Sequence, residues 1–376
     1  MPRAIGPLVV AILFAFPLLL GVDVSARSAS KEKIERAETS ILAQPNDRRA
    51  HLELAKAWTE RGRETAEHGC YQRALESLAI ARKSPRGDPP DSELALVEAW
   101  ARLGLHEFER AESLARAVVN VRKTEPAAWG VWGDALMELG RYDAAASAYQ
   151  EMLNLKPGPS SYVRAAHFRE LIGDRAGALE LLEAALIAIP SSEPEQRAWT
   201  LVQMANIRLD SGEAPEAGRL YSHALDLVPG YHYALAGLAR VALLIEDAPR
   251  AEELARAAFV AAPHPEHRLL IADALRRGGR PREARAEEDA FEREALANVE
   301  KDDNENLFLV DYYLDRRPFP SRALTLARRE ARRRSDLTTL GRLIRALDRT
   351  GAYEEARRVE GRVLAVKWKP TIDRLE

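Results

Sequence analysis

The chain has 376 residues, 46% of them apolar and 30% charged, and its net charge of −3 is too near balance for nucleic-acid binding through a basic surface. A single cysteine, Cys70, excludes an internal disulfide framework and any multi-cysteine metal site. Abundant Ala, Leu, Glu and Arg with few aromatics favour helix over sheet.

The first element is an export signal. Met1-Pro2-Arg3 is a short positive segment, Leu8–Leu20 is almost wholly apolar, and Val24-Ser25-Ala26 matches the small-residue pattern before a cleavage site. Residues 1–26 are therefore expected to be a signal peptide cut after Ala26, delivering the chain to the periplasm or the exterior. An uncleaved anchor is the alternative, although the apolar run is short for a membrane span and contains Pro17. Residues 27–45, centred on Ile34–Ala43, predict a lone capping helix. Cys70, the only thiol in an oxidising compartment, reads as a small buried hydrophobe.

From Asn46 onward the chain repeats. A small residue recurs at Ala74, Ala111, Ala145, Ala178, Ala217, Ala251, Ala284, Ala323 and Ala356, spaced 33 to 39 apart and mostly near 34. Each unit holds two segments of helical periodicity with a turn between them, and Gly140, Gly173, Gly212, Gly279 and Gly351 supply left-handed caps at five of these turns. Gly133, Ala166, Ala205, Ala239 and Ala272 occupy one slot of the first helix, opposite the alanine series of the second. Helix axes about 8–10 Å apart need side chains this small at the crossing. Pro126, Pro157, Pro190, Pro229 and Pro263 are expected to mark helix stops. Three irregularities interrupt the period. RETAEHG is inserted between Gly62 and Tyr71, Ser191–Gln196 lengthens the connection before Trp199, and Pro281–Val299 is a long second helix followed by the polar connector EKDDNEN. The expected layout is a solenoid over 46–299 and basic hairpins over 300–376, which either continue the solenoid or form a separate unit.

The spacing Trp129, Trp132-Gly133, Leu136, Ala145, Tyr149, Pro157 resembles the tetratricopeptide repeat almost position for position, with Met152 where that family usually carries Ala. The likeness runs from about Asn46 to Trp368. It implies an all-α, right-handed superhelical solenoid of about nine helix-turn-helix units. RGRETAEHGCYQRA, SEPEQRAWTLVQMANIRLDSGEAPEA and FLVDYYLDRRPFPSRAL look like segments of exported bacterial members of that family, a likeness that implies export and fold and no particular activity.

The resemblance also implies that the first helix of each unit lines a concave groove. Position nine reads Lys56, Glu98, Asp134, His167, Asn206, Arg240, Asp273 and Arg345, a polar stripe suited to a solvent-filled groove, or else the solvated face that any helix has. At its centre, Trp199 and Tyr233 stand at position two with His167, Glu170, Asn206 and Arg240 nearby, the composition of a binding hot spot. Trp199 packed under the loop before it is the plainer alternative. The candidate partner-binding residues are Asp134, His167, Glu170, Trp199, Asn206, Tyr233, Arg240 and Asp273. Position five reads Leu52, Leu94, Gly130, Val163, Val202 and Ala236, which lacks the Lys and Asn that clamp a terminal carboxylate and points to an amphipathic or extended peptide. Arg328, Arg329, Arg332 and Arg333 form a basic stripe, either for an anionic partner or a lipid headgroup of a membrane, or else paired with Glu287, Glu288 and Asp289, the reading that charge runs on helices favour.

No HExxH, phosphate-binding loop or GxSxG is present, and His264 with His267 has no third metal ligand in sequence, so neither a catalytic site, a metal nor a cofactor is expected. The sequence thus predicts an exported scaffold that binds a protein or peptide in a cell-envelope complex. A self-assembling structural protein is the second reading, and an enzyme with an unrecognised site the third.

Overall fold

The computed structural model describes residues 29–84, 88–299 and 306–366, so the expected signal segment lies outside the described residues. Among the described residues every regular element is a helix. Helix α1 (Ala29–Ala43) caps the start and packs on α2. Nine helix pairs follow. They are α2 (Arg48–Thr65) with α3 (His68–Lys83), α4 (Asp91–Gly104) with α5 (Phe108–Val121), and α6 (Pro126–Glu138) with α7 (Tyr142–Leu155). Next come α8 (Pro159–Leu171) with α9 (Arg175–Ala188), α10 (Pro194–Asp210) with α11 (Ala214–Leu227), and α12 (His232–Leu244) with α13 (Ala248–Ala261). The array ends with α14 (Pro265–Arg277) and α15 (Pro281–Leu296), α16 (Leu307–Asp311, running into a π-helical turn over Tyr312–Arg316) and α17 (Pro320–Arg333), and α18 (Leu337–Arg349) and α19 (Tyr353–Leu364). This is an all-α solenoid.

The small-residue crossing holds throughout. Every alanine of the second-helix series from Ala74 to Ala356 is buried, as are Ala166, Ala205, Ala239 and Ala272 opposite. At Gly133 the approach is closer still: a Cβ there would sit 2.3 Å from the Tyr149 ring. All five turn glycines adopt positive φ, from +67° at Gly140 to +86° at Gly173. Two units without glycine use the same conformation at His106 and Glu246. The prolines divide differently from expectation. Pro157, Pro190, Pro229 and Pro263 follow helices that have ended, whereas Pro126 opens α6 at the first helical position, where its missing N–H costs nothing.

The irregularities become structure. RETAEHG is only in part a loop: Arg63–Thr65 extends α2 to 18 residues where most first helices have 13 or 14, Ala66 and Glu67 make the turn, and His68 opens α3. Ser191–Gln196 likewise contributes the first turn of α10, which has 17 residues. These two extensions meet across the superhelix. Arg63 pairs with Glu195, its Nη1 donating over 3.1 Å, while the Tyr231 hydroxyl donates to the same carboxylate over 3.0 Å. Nearby, His264 Nε2 donates to the Thr65 carbonyl over 3.0 Å. A second seam joins the α17–α18 linker to earlier turns. Ser335 N–H donates to the Glu138 carbonyl over 3.0 Å, and Leu337 N–H to the Tyr142 hydroxyl over 2.8 Å. Gly140 lies so near Ser335 that a Cβ would be 2.3 Å from its carbonyl oxygen. The C-terminal hairpins stack on α15 through a core that joins Phe291 to Tyr312, Tyr313 and Leu343. Asn306, the last residue of the polar connector, is buried and donates to Glu330 over 2.6 Å.

Because Ala217 is fully buried at a crossing, Ala217→Leu must displace a helix. We expect a loss of about 1–3 kcal/mol from overpacking, read as a lowered Tm. An unchanged Tm would show that this crossing does not limit the approach.

Candidate binding chamber

The seam between α2 and the α10–α12 region borders a large cavity, which Arg63, Glu195, Tyr231 and His232 help to line. The first helices α2, α4, α6 and α8 touch in a continuous row, as do α10, α12 and α14, while α8 and α10 are at most in slight contact. The end of α2 crosses to α10 and α12 and closes the space between. The resulting cavity is about 2870 Å³, with Val131, Val163, His167, Leu182 and Trp199 on its wall and a branch reaching outward to Gly218 and Leu254 on α11 and α13.

Of the position-nine stripe only Lys56, Asp134 and His167 line this wall, and most of the stripe is spent on holding units together. Asp134 accepts from the Tyr149 hydroxyl of its own unit (2.9 Å) and from Arg164 of the next (2.8 Å). Asn206 repeats the pattern with Tyr221 (2.6 Å) and Arg240 (3.0 Å). Asp273 takes two bonds of 2.7 Å from Arg316. Glu98, only 4% exposed, is gripped by Arg82, Arg102 and Arg110. Burial raises the Tyr149 pKa well above the ordinary value, with Asp134 adding to it. Burial opposes the charge of Arg164, yet Asp134 beside it leaves the guanidinium pKa raised. The stripe is therefore largely a ladder of inter-unit bonds, in which Asp134, Asn206, Arg240 and Asp273 are engaged.

Three other predicted residues stand differently. His167 is exposed, and Glu170 and Trp199 are half-buried; all three face the chamber. Trp199 also rests against the apolar cluster formed by α10, α11 and the start of α12. Tyr233 belongs to the seam: its ring lies 3.8 Å from that of His232, and its hydroxyl donates to the Arg63 carbonyl over 3.4 Å. The position-five row corrects an expectation. Leu52, Leu94 and Val202 are buried between helices and are closed to a peptide, leaving Val163 and Ala236 partly accessible.

Two arginines of the basic stripe are paired, with partners other than those expected. Arg328 bonds Glu355 and Arg333 lies 3.5 Å from Glu330. Glu287, Glu288 and Asp289 are taken instead by Arg268, Arg276 and Arg317. His264 and His267 gain a neighbour in His232, with ring centroids 5.6–5.9 Å apart. Both are already tied to backbone carbonyls, and among the described residues no three His, Cys, Asp or Glu are arranged to hold a metal. No described helix is long and apolar enough to cross a membrane.

Residues 96–162 match the family model described as a tetratricopeptide repeat. No curated protein gives a significant match. Among solved structures, a chain of the APC/C hetero-tetramer Cut9-Hcn1 is similar over 85% of this chain at 13% identity, with a TM-score of 0.56. This chain spans 60% of the length of that one. The human IFIT1 dimer with m7Gppp-AAAA is similar over 89% of this chain and 86% of its own, at 16% identity and a TM-score of 0.52. At such identities the likeness is one of fold. Residues 96–162 thus carry a tetratricopeptide repeat, and the repeat spacing and stacked pairs give the chain a solenoid fold of the tetratricopeptide type.

Sequence reasoning missed Arg63, Glu195 and Tyr231. Their signal was that both insertions carry charge where a plain loop needs none. Glu195→Ala removes the acceptor shared by Arg63 and Tyr231, leaving two largely enclosed donors without it. We expect the seam to weaken by about 1–3 kcal/mol. Amide exchange over residues 61–65 should accelerate while that of α6 and α7 stays as in the parent; equal rates would remove the seam.

Proposed function

We propose that the chain is an exported scaffold whose central chamber receives a segment of a protein or peptide partner within a cell-envelope complex. The observation that carries this reading is the size and lining of the chamber. About 2870 Å³ is several times the roughly 300–1,000 Å³ of a small-molecule pocket, so a polypeptide segment suits it better than a metabolite. Val131, Val163, Leu182 and Trp199 offer apolar contact, with His167 and Glu170 as polar groups beside them. The wall is held rigid by its own ion-pair ladder, so little ordering accompanies binding. Export rests on the three-part pattern of residues 1–26, and the mass of the chain recovered from the envelope tests it: Arg27 should be the first residue.

A photo-activated crosslinker placed at His167 or Trp199 in the intact cell should capture one recurrent partner. The same probe at Arg285 or Arg332, exposed positions off the chamber wall, should not. Equal capture from all four positions, or none from the chamber, would overturn the reading. Trp199→Glu should lower the chamber yield at least tenfold with the fold intact.

A further inference from the structure

Both seams are built around histidines held without charge. His232 opens α12 and is buried, and neither of its ring nitrogens makes a well-formed hydrogen bond, the Glu64 backbone being its nearest polar neighbour. Tyr231 and Tyr233 flank it on α12, and His264, Glu266 and His267 belong to the start of α14. The end of α2 brings Arg63 and the Glu64 backbone, and α10 brings Glu195, which is engaged with Arg63. At the other seam, His106 sits in a left-handed turn (φ +60°) with its Nδ1 enclosed and unpartnered. Its ring stacks on Phe108 at 5.5 Å and meets His68 at 5.4 Å. Arg333 and Arg334 approach from α17 and its linker, Arg334 lying 5.7 Å above the Phe108 ring. The nearby acids are committed: Glu107 to Arg102, and Glu138 and Asp336 to Arg334.

We propose that acid opens the chamber: protonation of His232 puts charge into the seam that borders it and releases α2 from α10–α14, while protonation of His106 loosens, away from the chamber wall, the α17–α18 linker from the α4–α7 turns. This is a means of regulating the chamber and rests on the reading of that chamber as the binding site. Burial, helped by His267 and His264, holds the His232 pKa down at about 3. Burial, with His68, Arg334 and Arg333, does the same for His106, also to about 3. His267 is lowered by burial as well, against the pull of Glu266. In water the imidazole returns to about 6.5. A value depressed in the closed state means that closure is fully supported above about pH 6.5 and loses support as the pH falls towards 3. At pH 5 each histidine shifts the balance towards the open form about thirty-fold.

The test uses the ligand-free chain, so its outcome is separate from that of partner capture. From pH 7.5 to 4.5 the radius of gyration should rise, and amide exchange at 61–65 and 333–337, corrected for its intrinsic pH dependence, should accelerate, with helix content constant. His232→Phe with His106→Asn, which suits the left-handed turn, should stay closed through that range. A flat radius and unchanged seam exchange in the parent would overturn the proposal, as would a double variant that opens at the parent's pH. Should the variant fail to fold, the NMR titration of the parent decides: a His232 ring that protonates near pH 6.5 in a chain that remains closed also overturns it.

Discussion

The close crossing of paired helices at a buried small residue is the constraint from which the rest follows. Nine alanines, from Ala74 to Ala356, lie in contact with the facing helix and leave no room for a larger group. Such contact sets the distance between axes and so the geometry of each unit. Repeated with little variation, a unit rotation accumulates into a superhelix. Its size decides whether one turn passes clear of the next or touches it. Here turns touch, and the chamber exists because of that contact.

The polar wall is shaped by the same repetition. A residue at position nine faces inward in one unit and stands beside the first helix of the next. In a space partly screened from water, a carboxylate there needs donors, and Tyr149 with Arg164 supplies them for Asp134. The tie from Tyr221 to Asn206, joined by Arg240, shows the same solution with an amide in place of the acid. Polar residues at a repeat period are thus as well explained by stacking as by ligand contact. What separates the two is whether the hydrogen-bonding groups are already engaged. By that measure His167 and Trp199 are the residues most open to a partner, and Asp134 and Asn206 are committed to holding the units together.

How much of this is legible in sequence depends on distance along the chain. Helix pairs, crossing alanines and glycine turns come from local periodicity, and they hold almost to the residue, since 3.6-fold spacing and positive φ act over a few positions. Where His106 and Glu246 replace the turn glycine, local chemistry alone misses the cap, and the rest of the unit imposes it. The seams are a different case. Arg63 and Glu195 are 132 positions apart, and only the summed geometry of the intervening units brings them together. Their visible trace is that the repeat fails at both places, in RETAEHG and in SEPEQR. Reading those as loop insertions loses the point that each adds a helical turn at the height where the other arrives. Leu52, Leu94 and Val202 show the opposite failure, an apolar row that the family pattern puts in the groove and that packing takes for itself.

Closure of this kind differs from an ordinary long-range contact. In a flexible chain, joining residues so far apart carries a loop entropy that grows with the logarithm of their separation. In a stacked solenoid that entropy has already been met unit by unit, so the ends arrive near one another with little freedom left to lose. A few bonds at the seam can then hold the ring. By the same reasoning those bonds can break without unfolding any unit, because each helix pair keeps its own neighbours. A seam made of Arg63, Glu195, Tyr231 and a knot of histidines is therefore the weakest link in a strong array. Access to the chamber is decided there, by polar groups whose charge can change, while the apolar crossings that define the fold remain in place.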